Sequence, residues 1–143
     1  MARIEESVEI KRPVEQVFAY TTDAKSWPTS QSIIVESDQT SPGSVNVGTM
    51  FRGTIRMMGR SMPWTARATE YEPHRKFGKN IDSGSVTMGQ HNTYLPLEGS
   101  TRFPILYDMK VGGFLSLLSP MQVSSMRREL KKSLGNLKGV LEA

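Results

Sequence analysis

The sequence predicts an α+β fold: a sheet of about six to seven antiparallel strands, two short helices after the first strand, and one long C-terminal helix covering the sheet. Three observations carry this reading. Period-two alternation of apolar and polar residues recurs between 49 and 110. An apolar stripe at helical spacing runs from Val123 to Leu141. No internal repeat or linker divides the 143 residues, so a single domain, 1–143, is expected. Helices set apart from a run of strands mark α+β rather than alternating α/β architecture.

In residues 3–11, Val8 and Ile10 alternate with charged residues and indicate an opening strand. Pro13 suits the first turn of a helix, where its missing N–H leaves no bond unmade, and Val14, Val17 and Phe18 follow at helical spacing. Residues 24–27 read as a second helical turn ended by Pro28. Residues 32–36 suit a short strand, and the turn-rich stretch 37–48 reads as a loop. The clearest pair is 49–58 and 62–72. Phe51, Gly53, Ile55 and Met57 share one face of the first, and Met62, Trp64, Ala66 and Ala68 one face of the second. Gly59-Arg60 between them fits a tight hairpin. Further strands are expected from Phe77 to Asp82, over 86–95 and over 101–110, with Pro104 requiring an edge or a bulge in the last.

After Gly112-Gly113 and the apolar 114–118, Ser119-Pro120 reads as a cap and first helical position. Val123, Met126, Leu130, Leu134, Leu137 and Leu141 then recur at spacings of 3, 4, 4, 3 and 4. At 100° per residue they fall within a sector of about 80°. This is the one element long enough to cover a sheet whose other face is wet.

Composition narrows the function. There is no Cys, which excludes a disulfide scaffold and Cys-ligated metal. No run of 18 apolar residues exists, and the first eleven residues are too charged for a signal peptide, so a cytoplasmic protein is expected. The net charge of +4 is uneven. Residues 1–101 hold 11 Lys/Arg against 11 Asp/Glu, and residues 102–143 hold 7 against 3. Arg127, Arg128, Lys131, Lys132 and Lys138 supply most of the excess. They form either a solvated helix face or a surface for anionic lipid or a protein partner; without interleaved aromatics, nucleic acid is not expected. Two His, no Cys and no metal-spaced carboxylate cluster indicate no metal. No phosphate-binding glycine loop and no nucleophile elbow occur, so no cofactor is expected.

Four segments in order carry a family resemblance: Pro13-Val14-Glu15-Gln16-Val17-Phe18 followed by Asp23 and Trp27; Val47-Gly48-Thr49 through Gly53; Met58-Gly59-Arg60 with Thr69-Glu70-Tyr71-Glu72-Pro73; and Leu134-Gly135-Asn136-Leu137-Lys138 with Leu141-Glu142. Together they resemble the START-like, or helix-grip (SRPBCC), superfamily, and within it the polyketide cyclase/dehydrase and lipid-transport branch. The resemblance implies a curved antiparallel sheet wrapped around the long helix, with an apolar cavity between them. It does not imply one function, because the family hosts carriers, cyclases, hydrolases and chaperone activators. One departure is Lys79, where relatives often carry an aromatic or aliphatic residue.

The expected ligand-binding set is Phe51, Ile55, Met57, Met62, Trp64, Ala66, Phe77, Lys79, Gln90, Asn92, Phe103, Ile105, Tyr107, Val123, Met126 and Leu130. Small residues beneath a helix leave volume for a ligand unless methionines fill it. Lys79 either orients a polar ligand group or snorkels to water from a strand end. Tyr107 is either a proton donor or a core ring. His74 reads as solvated; whether His91 or Asn92 faces the cavity depends on a register that the sequence leaves open. No catalytic residue is assigned, and whether any reaction is catalysed is left open. The first expectation is binding or transport of a hydrophobic small molecule, such as a lipid, quinone or polyketide-like compound. The alternatives are a metal-independent cyclase/dehydratase and a protein- or membrane-interaction module using the basic helix, with peripheral membrane contact and oligomeric state undecided.

Overall fold

A computed structural model describes residues 2–57, 59–83, 86–111 and 120–143. β1 (Ala2–Ile10) buries Ile4 and Ile10 completely. Pro13, with φ −65° and ψ 153°, is the N-cap of α1 (Val14–Thr21), which buries Val17 and Phe18. The Asp23 carboxylate accepts the Lys25 N–H and caps a 3-10 turn, Ala24–Ser26, that leads into α2 (Trp27–Ser30). Pro28 therefore does not end a helix. It sits in the first turn of α2, where no N–H is needed.

The remaining strands are β2 (Ile34–Gln39), β3 (Met50–Met57), β4 (Arg60–Glu72), β5 (Lys76–Ser83), β6 (Val86–Thr93), β7 (Leu95–Leu97) and β8 (Ser100–Val111). The sheet runs β1-β8-β6-β5-β4-β3-β2, with β7 paired to β8, and every pairing is antiparallel. Eight strands exceed the expected six to seven because Tyr94 interrupts the segment read as one strand. Its ring is buried, its N–H donates to Arg75 O at 2.9 Å, and its hydroxyl lies 2.6 Å from Thr21 Oγ1. Thr21 already donates to Val17 O, so Tyr94 is the donor. Pro104 lies on a strand paired on both sides, not at an edge. It falls where the β6 ladder has ended at Ile105 and the β7 ladder begins at Arg102. Residues 37–39, read as loop, extend β2 against Phe51–Gly53, and the Ser37 hydroxyl donates to Ala24 O.

Gly59, at φ +77°, supplies the left-handed position of the β3–β4 hairpin. Gly53 has a different task. A Cβ there would meet Trp64 Cζ2 at 2.6 Å and crowd Glu36 O, so the bare backbone is what lets the Trp64 ring lie down on β3.

α3 (Pro120–Glu142) packs on β1 and α2 and buries Leu130, Leu134, Leu137 and Leu141. The segment 112–119, with its apolar lead-in and Ser119 cap, lies outside the described residues. The cations beside the leucine stripe fasten the helix to the sheet. Arg127 Nη1 is 2.6 Å from Glu6 Oε2, and Lys131 Nζ is 3.6 Å from Glu6 Oε1. Lys138 Nζ donates to Glu9 O at 2.8 Å and to Glu142 Oε2 at 2.7 Å. Glu142 also accepts the Lys11 N–H at 2.8 Å, and the Lys138 and Lys11 hydrogen bonds hold its carboxyl below the usual range. Asn136 Nδ2 donates to Ser30 O at 3.0 Å, tying α3 to α2. Among the described residues, no helix is long and apolar enough to cross a membrane.

Two outcomes follow. Gly53→Ala forces the Trp64 ring off the strand and destabilises the fold by about 1–3 kcal/mol, measured by urea unfolding at unchanged m-value. Glu6→Ala releases two cations from a partly exposed carboxylate. It lowers stability by about 1 kcal/mol or less, and the difference from wild type shrinks when unfolding is repeated in concentrated salt.

Candidate functional site

Strand pairing aligns inward-facing residues in rows across the sheet. Ala68, Lys79, Gln90, Tyr107 and Ile4 form one row across β4, β5, β6, β8 and β1. Tyr71, Phe77, Asn92, Ile105 and Glu6 form the next. Gln90 Nε2 donates to Asn92 Oδ1 at 3.0 Å and joins the two rows. This settles the open register: Gln90 and Asn92 point inward and are buried. His91 points to the other face, with Nδ1 2.6 Å from Glu70 Oε1 and its side chain 40% exposed.

The β3–β4 half of the interior is filled by aromatic rings. The Trp27 centroid is 5.0 Å from that of Phe51, 6.2 Å from Trp64 and 6.5 Å from Phe77. Trp27 Nε1 donates to Thr21 O at 2.9 Å, which fixes the indole. The buried Trp64 Nε1 has no partner among the described residues. Ala66 and Ala68 are buried beside this cluster. Among the described residues Met109, on β8, is fully buried, Met88 and Met126 are partly buried, and Met62 is exposed.

Space remains on the other side of Trp27. The cavity there is bounded by α1 and α2 at Tyr20, Thr21 and Ser30, by the sheet at Phe103, Ile105 and Tyr107, and by α3 at Leu130, Leu134 and Leu137. Its interior volume is about 30 Å³, and counting the open mouth its empty space is about 460 Å³. The interior holds about one or two waters.

Lys79 lies at the wall of this cavity and is 4% exposed. Its Nζ sits 3.3 Å from the Trp27 ring centroid. Burial alone lowers its ammonium from 10.5 to about 7. It does not snorkel to water. Burial also raises the Tyr107 hydroxyl to about 12, so Tyr107 stays protonated and available as a donor. Tyr94, behind the cavity, is pushed up further by burial.

Of the expected ligand-binding residues, the structure gathers Lys79, Gln90, Asn92, Phe103, Ile105, Tyr107 and Leu130 around the cavity. Phe51, Trp64, Ala66 and Phe77 are buried in the hydrophobic core, and Ile55, Val123 and Met126 pack against that core partly buried. Met62 is 38% exposed near the hairpin end, and the Met57 side chain lies outside the described residues. Sequence reasoning missed Tyr20, Thr21, Ser26, Trp27, Ser30 and Gln31, as well as Ser133, Leu134 and Leu137. The two leucines carried a signal, since they share the apolar stripe with Leu130. Thr21 follows Val17 and Phe18 at helical spacing on α1, whereas the three- and four-residue helical turns carried no signal because they show no period.

An antiparallel sheet gripping a long helix around a cavity is the START-like helix-grip architecture. The chain belongs to the family described as polyketide cyclase / dehydrase and lipid transport, whose family model matches residues 1–142. A START superfamily protein from Mycobacterium smegmatis has a similar structure, with TM-score 0.83 and 16% identity over 98% of this chain and 97% of that one. The Zhui aromatase/cyclase from Streptomyces sp. R1128 is similar at TM-score 0.79 and 16% identity, over 99% of this chain and 93% of that one. A protein from Thermus thermophilus gives TM-score 0.81 and 15% identity, over 96% of this chain and 95% of that one. No curated protein matches the sequence significantly.

The position of Lys79 makes stability depend on pH. Unfolded, it holds its proton to about 10.5; folded, only to about 7. Between those values the unfolded chain binds more protons, so stability rises with pH. Relative to Lys79→Met, wild type gains on the order of 3–4 kcal/mol between pH 7 and pH 10, read from paired denaturant titrations.

Proposed function

We propose that the protein binds or carries a hydrophobic small molecule, a lipid, quinone or polyketide-like compound, between the sheet and α3. The observation that carries this is the cavity beside Trp27, apolar on its α3 side and lined by an inward polar row on its sheet side. Apolar walls provide the driving force for binding, and a few convergent polar groups set orientation. The interior of about 30 Å³ is smaller than such a ligand, so binding parts the walls. Family membership supports the same reading.

A second reading, a metal-independent cyclase or dehydratase, is favoured by one observation: Lys79 and Tyr107, both able to exchange protons, face the same space. Burial leaves the lysine near 7, where a group both gives and takes a proton at neutral pH.

Native mass spectrometry of the purified protein, joined to a thermal-shift panel of lipids, quinones and aromatic polyketides, tests the binding reading. A bound species or a stabilising compound is expected, and Leu134→Trp, which fills the cavity, abolishes the shift while remaining folded. A panel that leaves the wild-type melting temperature unmoved overturns it. Turnover of a poly-β-ketone that falls in both Lys79→Met and Tyr107→Phe selects the enzymatic reading.

A further inference from the structure

We propose that the ligand of this cavity carries a carboxylate, and that Lys79 is its counter-ion. The inference rests on the small-molecule reading above and names the chemical class that the site takes.

An ammonium taken out of water without a partner is costly, and proteins normally pair it or leave it exposed. Lys79 is 4% exposed, and among the described residues its Nζ has neither an ion pair nor a hydrogen bond. Its one electrostatic contact is the face of Trp27 at 3.3 Å. A ring face supports a cation but accepts no conventional hydrogen bond, so the N–H groups directed away from Trp27 are left to cavity water or to a ligand.

Among the described residues, no acid lines the cavity around the lysine. Its strand neighbours are Ala68 on β4 and Gln90 on β6. α3 presents Leu130, Ser133, Leu134 and Leu137, and its charged residues do not line the cavity. The other titratable groups lining the space are Tyr20 from α1 and Tyr107 from β8. Tyr107 and Gln90 add a hydroxyl and an amide donor in the same row as Lys79. One cation flanked by two neutral donors, with no anion, matches an acceptor bearing one negative charge. An uncharged ligand leaves the ammonium unpaired, and a cationic ligand is repelled. A carboxylate carries one negative charge, whereas a phosphate monoester carries closer to two. A hydrophobic carboxylic acid, its chain against the α3 leucines, meets all of these conditions.

The experiment compares decanoate with decanamide, an uncharged molecule of nearly the same shape, by calorimetry on wild type and Lys79→Met at pH 6.5 and pH 9. Decanoate is expected to bind wild type at least about tenfold more tightly than decanamide at pH 6.5. The preference is lost in Lys79→Met and declines at pH 9, where the free lysine has given up its proton. Thermal unfolding confirms that the variant is folded, and the wild-type pH comparison stands without it. If acid and amide bind wild type equally, or the preference survives in Lys79→Met, the Lys79 assignment falls while the cavity reading stands. If neither molecule binds, the carboxylate assignment falls, and the panel of lipids, quinones and polyketides decides the cavity reading.

Discussion

The Trp27 indole divides the interior of this protein. One side packs into the cluster of Phe51, Trp64 and Phe77, and Lys79 Nζ lies 3.3 Å from the ring centroid. Its N–H is held by Thr21 O, so the ring is anchored from α1 as well as from its own helix. Toward β3 lie the rings of Phe51 and Trp64. Toward β8 and α3, Phe103, Ile105, Tyr107, Leu130, Leu134 and Leu137 border the cavity. The amine is therefore held at the boundary between the packed and the open halves, where its stem is buried and its head has space beside it.

A similar division of roles governs the long helix. Its leucine stripe supplies non-directional burial, which does not by itself fix where the helix sits along the sheet. Directional contacts do that. Glu6 points to the inner side of β1, in phase with Ile4, Val8 and Ile10, and meets Arg127 and Lys131. Lys138, Glu142 and Lys11 close the far end, and Asn136 reaches α2. Much of the cationic excess in residues 102–143 is thus matched within the chain. These contacts lie mostly at the rim, partly exposed and individually weak. Such a fastening holds α3 over the cavity through several weak contacts rather than one strong one.

The fold was legible because its long elements have strong periods. Residues 49–58 and 62–72 alternate cleanly and became β3 and β4 nearly end for end, and the leucine stripe became α3. Failures came where a tertiary contact overrode local pattern. Tyr94 breaks a strand because its ring and hydroxyl are drawn to α1. Pro28 reads as a terminator in isolation but starts a turn in context. The expected set takes in Phe51 and Trp64, which pack on Trp27 outside the cavity lining, because sequence shows which residues face inward, not which ring from a four-residue helix meets them. Glu6 was in principle readable: an acid in phase with three apolar strand residues demands a cation, and the helix carries five.

At 15–16% identity the fold is shared with its structural neighbours while most side chains are not, so the architecture alone says little about the ligand. What distinguishes this chain must lie in side chains that the fold does not require. Most interior positions are ones a core would choose anyway: Phe103, Ile105, Leu130, Leu134. Lys79 is not. A methionine of similar length would pack beside Trp27 without desolvating a charge, and the sheet gains nothing from the amine. Gln90 and Tyr107, aligned with it across consecutive strands, add polarity where apolar residues would also serve. A row of polar groups that the fold could replace to its own advantage is what the proposed ligand reading rests on.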